Sequence, residues 1–276
     1  MDKNIDEVEL VIFDTETTGL SYASGDRIVE LSGIKFRGQE RISEFDVLVN
    51  SGRAVSPGAF AVNKITPEML KNAPSIETVI PKFLDFIKGS CLCFYNAEFD
   101  LGFLNNELVL SGYPPIRDLS VLDILTMARK MLPGLPRYAL WFVAQTLGIK
   151  SAQSHRAFSD AEMAREVFCR LEEVCRGKGI FSFADFLTLF SFEGAFSAQG
   201  EPGNSGLIQA HIRTQEILKF KYLSSRSGEI SWREVLPRQI KRIDKYWYLI
   251  GDCYPERERR TFRLDNILSF EESGKI

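Results

Sequence analysis

The 276-residue chain lacks several features that mark particular classes of protein. It has no apolar stretch long enough to span a bilayer, and its first residues, MDKNIDEVEL, lack the basic and then apolar order of a secretory signal. It also has no excess of basic residues, because its net charge is -3. We therefore expect a cytoplasmic protein with no membrane partner, and we exclude a polybasic nucleic-acid binder.

Cysteine and histidine are scarce as well. The five cysteines show no CxxC spacing, so neither a disulfide framework nor a zinc site is indicated. Only two histidines occur, His155 and His211, which leaves few candidates for a general base near neutral pH. A site built on carboxylates is the main alternative.

The residues that are present divide the chain into two compositional parts. With 45% hydrophobic residues the chain is long enough to bury one large or two modest cores. Residues 1–206 carry a net charge of -7, whereas residues 207–276 carry +4, and the Gly/Ser/Pro-containing stretch SAQGEPGNSG precedes the change. We predict a domain over 1–176, a connecting segment over 177–206 and a second domain over 207–276.

Periodicity predicts an α/β fold for the first domain. Strand-like segments at 7–15, 27–37 and 41–50 form an antiparallel meander, and a short apolar strand follows at 91–95. Helical spacing dominates the rest, so a mixed sheet with helices on its faces is expected. From residue 207 onward, short strands with close turns predict a small barrel or a strongly curved sheet.

The connecting segment begins with six phenylalanines between Phe181 and Phe196. Such a segment is too apolar to be solvated, which favours an amphipathic helix docked on a domain over a partner-binding peptide. Within it, FLTLF (186–190) resembles the peptides that bind bacterial sliding clamps, although the usual leading Gln is missing.

Two carboxylates end the first strand, in the sequence FDTETTGL (13–20). Side chains two residues apart on a strand point to the same face, so Asp14 and Glu16 converge and repel each other. A divalent cation with oxygen ligands, such as Mg²⁺ or Mn²⁺, is the simplest source of compensating charge. The pair by itself is also common on solvated surfaces, and further partners are needed to make a metal site.

Three later residues supply those partners. Asp100 follows the short strand at 91–95 and begins a helix. His155 and Asp160 lie at the start of another helix, whose alanines indicate close packing where an isolated charge would be costly. Asp123 also begins a helix, and we interpret it as a helix cap rather than a fifth ligand.

FDTETTGL, NAEFD (96–100) and HRAFSDAE (155–162), in this order, resemble the three motifs of the DEDDh 3′-to-5′ exonucleases. This family includes the proofreading subunit of bacterial replicative DNA polymerase, ribonuclease T and oligoribonuclease. The resemblance covers roughly residues 8 to 175 and implies an RNase H-like fold.

The resemblance also implies roles for individual residues. Asp14, Glu16, Asp100 and Asp160 would bind two Mg²⁺ or Mn²⁺ ions, with Asp14 bridging them and Glu16 on the nucleophile side. His155 would be the general base that activates water, which releases a nucleoside 5′-monophosphate. The terminal nucleotide would lie among the following residues: Thr17, Gly19, Leu20, Asn96 and Phe99.

Two positions depart from the family pattern. This chain has Asn63-Lys64 where many relatives have His-Gly, and Tyr95 where many have His. Both concern the substrate more than the metals, so the choice between DNA, RNA and short oligonucleotides stays open.

The C-terminal sequence YWYLIGDCYPERERRTFRLDNI (246–267) resembles the WYL domain, an SH3-like or Sm-like small β-barrel of bacterial regulators. The resemblance implies that nucleic acid or a nucleotide is sensed through Arg238, Arg260 and Arg263, with Tyr248 available for stacking. The alternative is that these arginines are merely solvated.

Together the motifs predict a metal-dependent 3′-to-5′ exonuclease that acts on single-stranded 3′ ends and is recruited or regulated by a WYL module. The alternative function is a ligand-sensing regulator whose nuclease domain is weakly active or inactive. Retention of all four carboxylates favours the enzyme. Several members of the family are dimers, so a homodimer remains an option.

Overall fold

A five-stranded mixed sheet forms the centre of the N-terminal domain. The computed structural model describes residues 3–150, 155–192 and 205–271. The strands are β1 (Glu9–Thr17), β2 (Ile28–Arg37), β3 (Glu40–Leu48), β4 (Cys91–Phe94) and β5 (Val121–Asp123), in the order β3-β2-β1-β4-β5. β1, β2 and β3 are antiparallel, as the meander predicted, while β4 and β5 run parallel to β1.

Seven helices surround this sheet: α1 (Pro57–Asn63), α2 (Pro67–Leu70), α3 (Ile76–Ile87), α4 (Ala97–Leu110), α5 (Ile124–Met131), α6 (Leu140–Thr146) and α7 (Ala157–Gly177). Leu10 and Ile12 of β1 pack with α5, α6 and α7, whereas Val11 and Phe13 pack with α3 and α4. Because both faces are covered, β1 is almost continuously apolar until its acidic end. No helix within the described ranges is long and apolar enough to cross a membrane.

The phenylalanine-rich segment forms the helix α8 (Phe183–Phe190). Phe186 and Phe190 are fully buried in the main core, where the Phe186 ring lies 6.2 Å from that of Phe168 on α7. The expected docked helix is therefore confirmed. Because Phe186, Leu189 and Phe190 are buried, FLTLF offers no free peptide to a sliding clamp, and that interpretation loses its support. Phe196 and most of the linker lie outside the described residues.

A second, wholly antiparallel sheet forms the C-terminal domain after the helix α9 (Ser205–Thr214). Its strands are β6 (Leu218–Leu223), β7 (Ile230–Ile243), β8 (Tyr246–Cys253), β9 (Glu258–Arg263) and β10 (Ile267–Phe270), in the order β10-β6-β7-β8-β9. The edge strands β9 and β10 do not pair with each other within residues 205–271, so the expected closed barrel is not found.

The connection between these edge strands shows that the sheet is nevertheless strongly curled. Only the short turn Leu264–Asn266 joins β9 to β10. Such a turn spans at most about 14 Å, whereas the outer strands of a flat five-stranded sheet lie about 19 Å apart. The C-terminal domain is thus a curled, open sheet around its own apolar cluster, which includes Phe220, Val235 and Leu249.

The two domains are joined by the ion pair of a buried lysine with a half-buried aspartate and by apolar packing. The Lys130 ammonium on α5 donates to an Asp265 carboxylate oxygen at 3.1 Å and to the Asp265 carbonyl at 3.0 Å. Leu223 of β6 is fully buried in the core of the N-terminal domain. Burial lowers the pKa of Lys130 to about 8, although the charge of Asp265 opposes this shift.

Replacement of Asp265 by Ala should destabilise the protein by about 2 to 3 kcal/mol, because it removes the carboxylate that pairs with both the buried Lys130 ammonium and the Arg263 guanidinium. Chemical denaturation monitored by circular dichroism measures this loss. The matched control is Glu258→Ala, whose partner Arg260 is about half exposed, and it should change stability by less than about 0.5 kcal/mol. Equal effects of the two variants would contradict a stabilising role for the Lys130–Asp265 pair.

Candidate metal centre

Three carboxylates meet at the end of β1. Asp14 and Glu16 lie on the same side of this strand, and Asp160 lies in the first turn of α7. One oxygen from each of the three lies within 4.8 Å of the other two. Helix α7 approaches β1 closely because small side chains, Ala161 and Ala164, face the sheet and are buried. The expected convergence of Asp14, Glu16 and Asp160 is therefore present.

Asp100 approaches the same strand from α4. Its Oδ1 accepts hydrogen bonds from the Thr15 amide at 3.0 Å and from the Thr15 hydroxyl at 2.7 Å, and its side chain is buried. Because β4 runs parallel beside β1, the helix that follows β4 begins at the carboxyl end of β1. Asp100 is thus held next to Asp14, whose pKa it raises.

Burial and mutual repulsion make these carboxylates unusually basic. Burial, and then the charges of Asp100, Glu16 and Asp160, raise the pKa of Asp14 well above its usual range. Burial and the charge of Asp160 raise the pKa of Glu16 to about 8. Burial raises the pKa of Asp100 to about 7, even though the hydrogen bonds from Thr15 oppose the shift. A bound cation would relieve this repulsion.

The donor set fits hard divalent cations. The cluster of Asp14, Glu16 and Asp160 offers carboxylate oxygens, which Mg²⁺ and Mn²⁺ prefer. Among the described residues, neither Asp100 nor His155 belongs to the group whose ligand atoms all lie within 4.8 Å of one another. Cations at this site would be held chiefly by the three clustered carboxylates, with Asp100 on the Asp14 side.

His155 lies in the turn before α7, five residues before Asp160. Its side chain is half-buried, and its backbone adopts a φ of 49°, which is uncommon for a residue other than glycine. The next residue, Arg156, is the N-cap of α7. The conformation of this turn therefore determines where the imidazole points.

Glu30 on β2 holds this turn in place, and the sequence motifs did not reveal it. Its carboxylate, only 1% exposed, accepts from the Arg156 Nε at 3.0 and 3.1 Å and from the Ala157 amide at 3.0 Å. In the β1–β2 register Glu30 is paired with Glu16. An acidic residue inside the apolar strand RIVELSGIK (27–35) was the available clue, since a buried charge needs a partner.

The turn after β1 is tightly built. The Thr17 hydroxyl donates to the Gly19 carbonyl at 2.6 Å. A Cβ on Gly19 would lie 2.3 Å from the Asp26 carboxylate, so a larger residue there would require the Asp26 side chain to move. Leu20 follows with 86% of its side chain exposed. Among the residues expected at the terminal nucleotide, Leu20 is therefore available for contact, while Thr17 is buried.

Asn96 and Phe99 lie in the β4–α4 turn. Asn96 is exposed with a φ of 79°, and the half-buried Phe99 ring lies 4.9 Å from that of Phe103. Asp123 stabilises this turn, because its carboxylate accepts from the Ala97 amide at 2.7 Å and from the Thr126 amide at 2.5 Å. Asp123 is thus a cap, as interpreted from the sequence, and it serves two helices.

Asn63 and Lys64, which stand where many relatives have His-Gly, take part in the structure of the site. The Asn63 side chain is buried, donates to the Thr17 carbonyl at 3.3 Å and lowers the pKa of Glu16 against the effect of burial. Lys64 adopts a φ of 58°, the left-handed conformation that glycine favours. The chain thus keeps the backbone shape of a helix-ending glycine while placing a basic side chain there.

The four residues predicted for the WYL ligand occupy different environments. Arg238 pairs with Asp252 at 2.8 Å, and Arg260 pairs with Glu258 at 2.7 Å; both arginines are exposed. Tyr248 is half-buried and is paired with Arg263 in the β8–β9 register. Arg263 alone among them lines a cleft between the two domains.

Comparisons with known proteins point to two families. A family model described as Exonuclease matches residues 11–168, and one described as WYL domain matches residues 204–272. DNA polymerase III subunit epsilon of Treponema pallidum is 39% identical over 165 residues, which cover 59% of this chain and 76% of that protein. The DNA polymerase III PolC-type protein of Staphylococcus haemolyticus is 30% identical over 263 residues, 94% of this chain.

The chain covers only 18% of that PolC-type protein. Among solved structures, the nuclease domain of 3′hExo, described as a DEDDh family member bound to rAMP, superposes with a TM-score of 0.55 at 18% identity. The match covers 65% of this chain and 96% of that chain. The expected RNase H-like fold of the N-terminal domain is therefore confirmed.

The raised pKa values predict how stability depends on pH. Glu16 has a pKa of about 8 in the folded protein against a usual 4.5, so the folded state binds more protons between these values. In EDTA, stability should therefore be highest below pH 4.5 as far as this residue is concerned, and should fall as the pH rises through 8. Thermal melts across this range measure the slope.

Two further melts sharpen this prediction. Mn²⁺ should raise the melting temperature more at alkaline than at acidic pH, because only the ionised carboxylates bind it. Glu16→Gln should flatten the slope, whereas Asp85→Asn, a change at an exposed position on α3, should leave it unaltered. A melting temperature in EDTA that is independent of pH would contradict the raised pKa values.

Glu30→Gln should weaken Mn²⁺ binding about tenfold or more, because residues that orient metal ligands have effects of this size. Calorimetric titration measures the affinity. Arg156→Gln distinguishes an effect of position from an effect of charge. Removal of a positive charge alone would strengthen Mn²⁺ binding, whereas loss of the hydrogen bonds from Arg156 to Glu30 should weaken it. Tighter Mn²⁺ binding by Arg156→Gln would contradict positioning. Glu44→Gln, on β3, is the control with an exposed carboxylate.

Proposed function

Because the chain belongs to the exonuclease family, with a DEDDh-type 3′-to-5′ exonuclease domain followed by a WYL domain, we propose that it removes nucleotides from the 3′ ends of single-stranded DNA. The observation that carries this proposal is the cluster of Asp14, Glu16 and Asp160, with Asp100 held beside it. Each cleavage would release a nucleoside 5′-monophosphate.

The carboxylates supply sites for two divalent cations. Asp14, Glu16 and Asp160 would hold one, and Asp14 together with Asp100 would hold the other. When bound, such ions polarise the scissile phosphate, lower the pKa of water and balance the charge of the transition state. The hydrogen bonds from Thr15 to Asp100, and from Arg156 to Glu30 beside the cluster, would keep the ligands in position.

The remaining residues would bind the strand and move the proton. His155 takes the proton from the attacking water, since an imidazole is well suited to this role near neutral pH. The exposed Leu20 packs against the terminal nucleotide from one side, and Phe99 borders it from another. Thr17 and Gly19 shape the turn that presents Leu20, while the exposed Asn96 would border the terminal nucleotide together with Phe99.

The WYL domain would bring nucleic acid or a nucleotide ligand to the enzyme. Arg238, Arg260 and Arg263 provide the positive charge, and the ion pairs of the first two are exposed enough to exchange for phosphate. All five cysteines are free and buried, which fits a reducing cytoplasm. RNA and short oligonucleotides are the alternative substrates, and a homodimer is compatible with this function.

The test is digestion of 5′-labelled single strands of DNA and of matched RNA in the presence of Mn²⁺. Wild type should shorten DNA stepwise, and Asp14→Asn should abolish the shortening. His155→Ala should slow it about 100-fold or more while Mn²⁺ binding persists, because a general base accelerates the reaction without holding the ions.

Matched controls make this test specific. His211→Ala changes the other histidine, which bonds the Leu207 carbonyl within α9, and should retain full activity. Asp85→Asn, which changes an exposed carboxylate on α3, should also retain full activity. If wild type shortens no strand, the chain is instead a ligand-sensing regulator with an inactive nuclease domain. Faster digestion of RNA than of DNA would overturn the choice of substrate but not the activity.

A further inference from the structure

A cleft of about 380 Å³ lies between the two domains, and residues of the NAEFD and WYL motifs line it together with residues outside both motifs. This volume lies within the range of small-molecule sites. The N-terminal domain contributes Asn96, Glu98, Asp123, Leu125, Thr126 and Arg129, and α8 with the residues after it contributes another wall. The C-terminal sheet contributes Lys245, Tyr246, Trp247, Arg263, Leu264 and Asp265.

The cleft is part of the folded structure rather than an accidental gap. Asp265, which forms the ion pair with Lys130, lines the cleft. At Gly228, in the turn before β7, the backbone has a φ of 66°, and an added Cβ would lie 3.2 Å from the Lys130 carbonyl. The C-terminal domain therefore meets Lys130 closely at both its ammonium and its carbonyl, which restricts movement of the two walls relative to each other.

The cations of the cleft are only partly neutralised. Arg129 and Lys245 are exposed, and neither forms an ion pair with a carboxylate in the described residues. Arg263 pairs with Asp265, which also neutralises Lys130. Of the other acidic groups, Asp123 is engaged with two backbone amides, and Glu98 is exposed at the rim. Two cations thus remain to bind an anion of the size of a phosphate.

Aromatic side chains lie beside these cations. Tyr246 and Trp247 both line the cleft and are half-buried. The Arg263 guanidinium stacks on the Tyr246 ring at 3.6 Å, which fixes both groups, and the Lys245 ammonium lies 5.4 Å from the centre of the same ring. Cations next to aromatic surface are the combination that recognises a phosphate joined to a base.

We infer that this cleft binds a nucleoside monophosphate unit, with the phosphate on Arg129 and Lys245 and the base against Trp247. The choice of a nucleotide rests on the proposed function, whereas the cleft and its charge do not. The unit has two possible sources: the released nucleotide, or one nucleotide of a strand whose 3′ end lies at the carboxylates. Both present the same phosphate and base.

The position of the cleft couples it to the metal centre. Asn96 and Glu98 belong to the turn that leads to Asp100, and Asp123 binds the Ala97 amide of the same turn. A ligand in the cleft therefore contacts the segment that positions one of the four carboxylates. Occupancy of the cleft should influence the metal centre through this segment.

The experiment is calorimetric titration of the full chain in EDTA, which keeps divalent ions from the carboxylates. The probes are deoxyadenosine 5′-monophosphate, deoxyadenosine without phosphate, and a 5′-phosphorylated deoxyadenosine tetranucleotide. Wild type should bind a phosphorylated probe at least about tenfold more tightly than the nucleoside. Arg129→Ala and Lys245→Ala should each weaken that binding about tenfold, and Arg129→Lys should retain most of it.

Lys241→Ala and Arg242→Ala are the matched controls, because both change exposed cations of β7 that do not line the cleft. Tight binding of the mononucleotide identifies the released product as the ligand, and binding of the tetranucleotide alone identifies the strand. The inference is overturned if neither phosphorylated probe binds, or if Arg129→Ala and Lys245→Ala bind as wild type does. Because no cleavage occurs in EDTA, these results stand apart from success or failure of the exonuclease assay.

Discussion

Burial, and then mutual repulsion, make the carboxylates at the end of β1 costly to ionise, and the surrounding fold must hold them together despite that cost. Asp14, Glu16 and Asp160 bring negative charge into a region that burial makes unfavourable for it. The apolar layers on both faces of the sheet hold these groups together against that repulsion. Hydrogen bonds from Thr15 and Asn63 reduce the cost without removing it. Such a site binds hard divalent cations because they relieve a penalty that the fold imposes.

The sequence predicted this arrangement because the relevant patterns are local. Alternation along a strand places Asp14 and Glu16 on one face, and a carboxylate at a helix start predicts the cap Asp123. Glu30 was missed because its partner Arg156 lies 126 residues away, and no spacing rule connects them. The sequence left a small barrel and a strongly curved sheet as alternatives, because strand count and turn length predict curvature but not whether the edge strands pair; the described residues form a curled, open sheet. The cleft could not be predicted, since it exists only once two domains have docked.

Docking of the two domains creates a cleft that is lined by residues of both. Lys130 of one domain is neutralised by Asp265 of the other, and α8 fills part of the space between them with buried phenylalanines. The same junction brings the cations and aromatic rings of the C-terminal sheet to the turn that carries Asp100. Hydrolysis and nucleotide binding would thus share one segment of backbone. A ligand bound in the proposed cleft would therefore contact the segment that carries Asp100.

Anomalous diffraction from crystals grown with Mn²⁺ locates divalent ions among these carboxylates without reference to any substrate. A strong peak should lie about 2 Å from oxygens of Asp14, Glu16 and Asp160. A second peak should lie between Asp14 and Asp100, about 4 Å from the first. Absence of a peak among these carboxylates in crystals that hold Mn²⁺ elsewhere would show that they do not form a metal site.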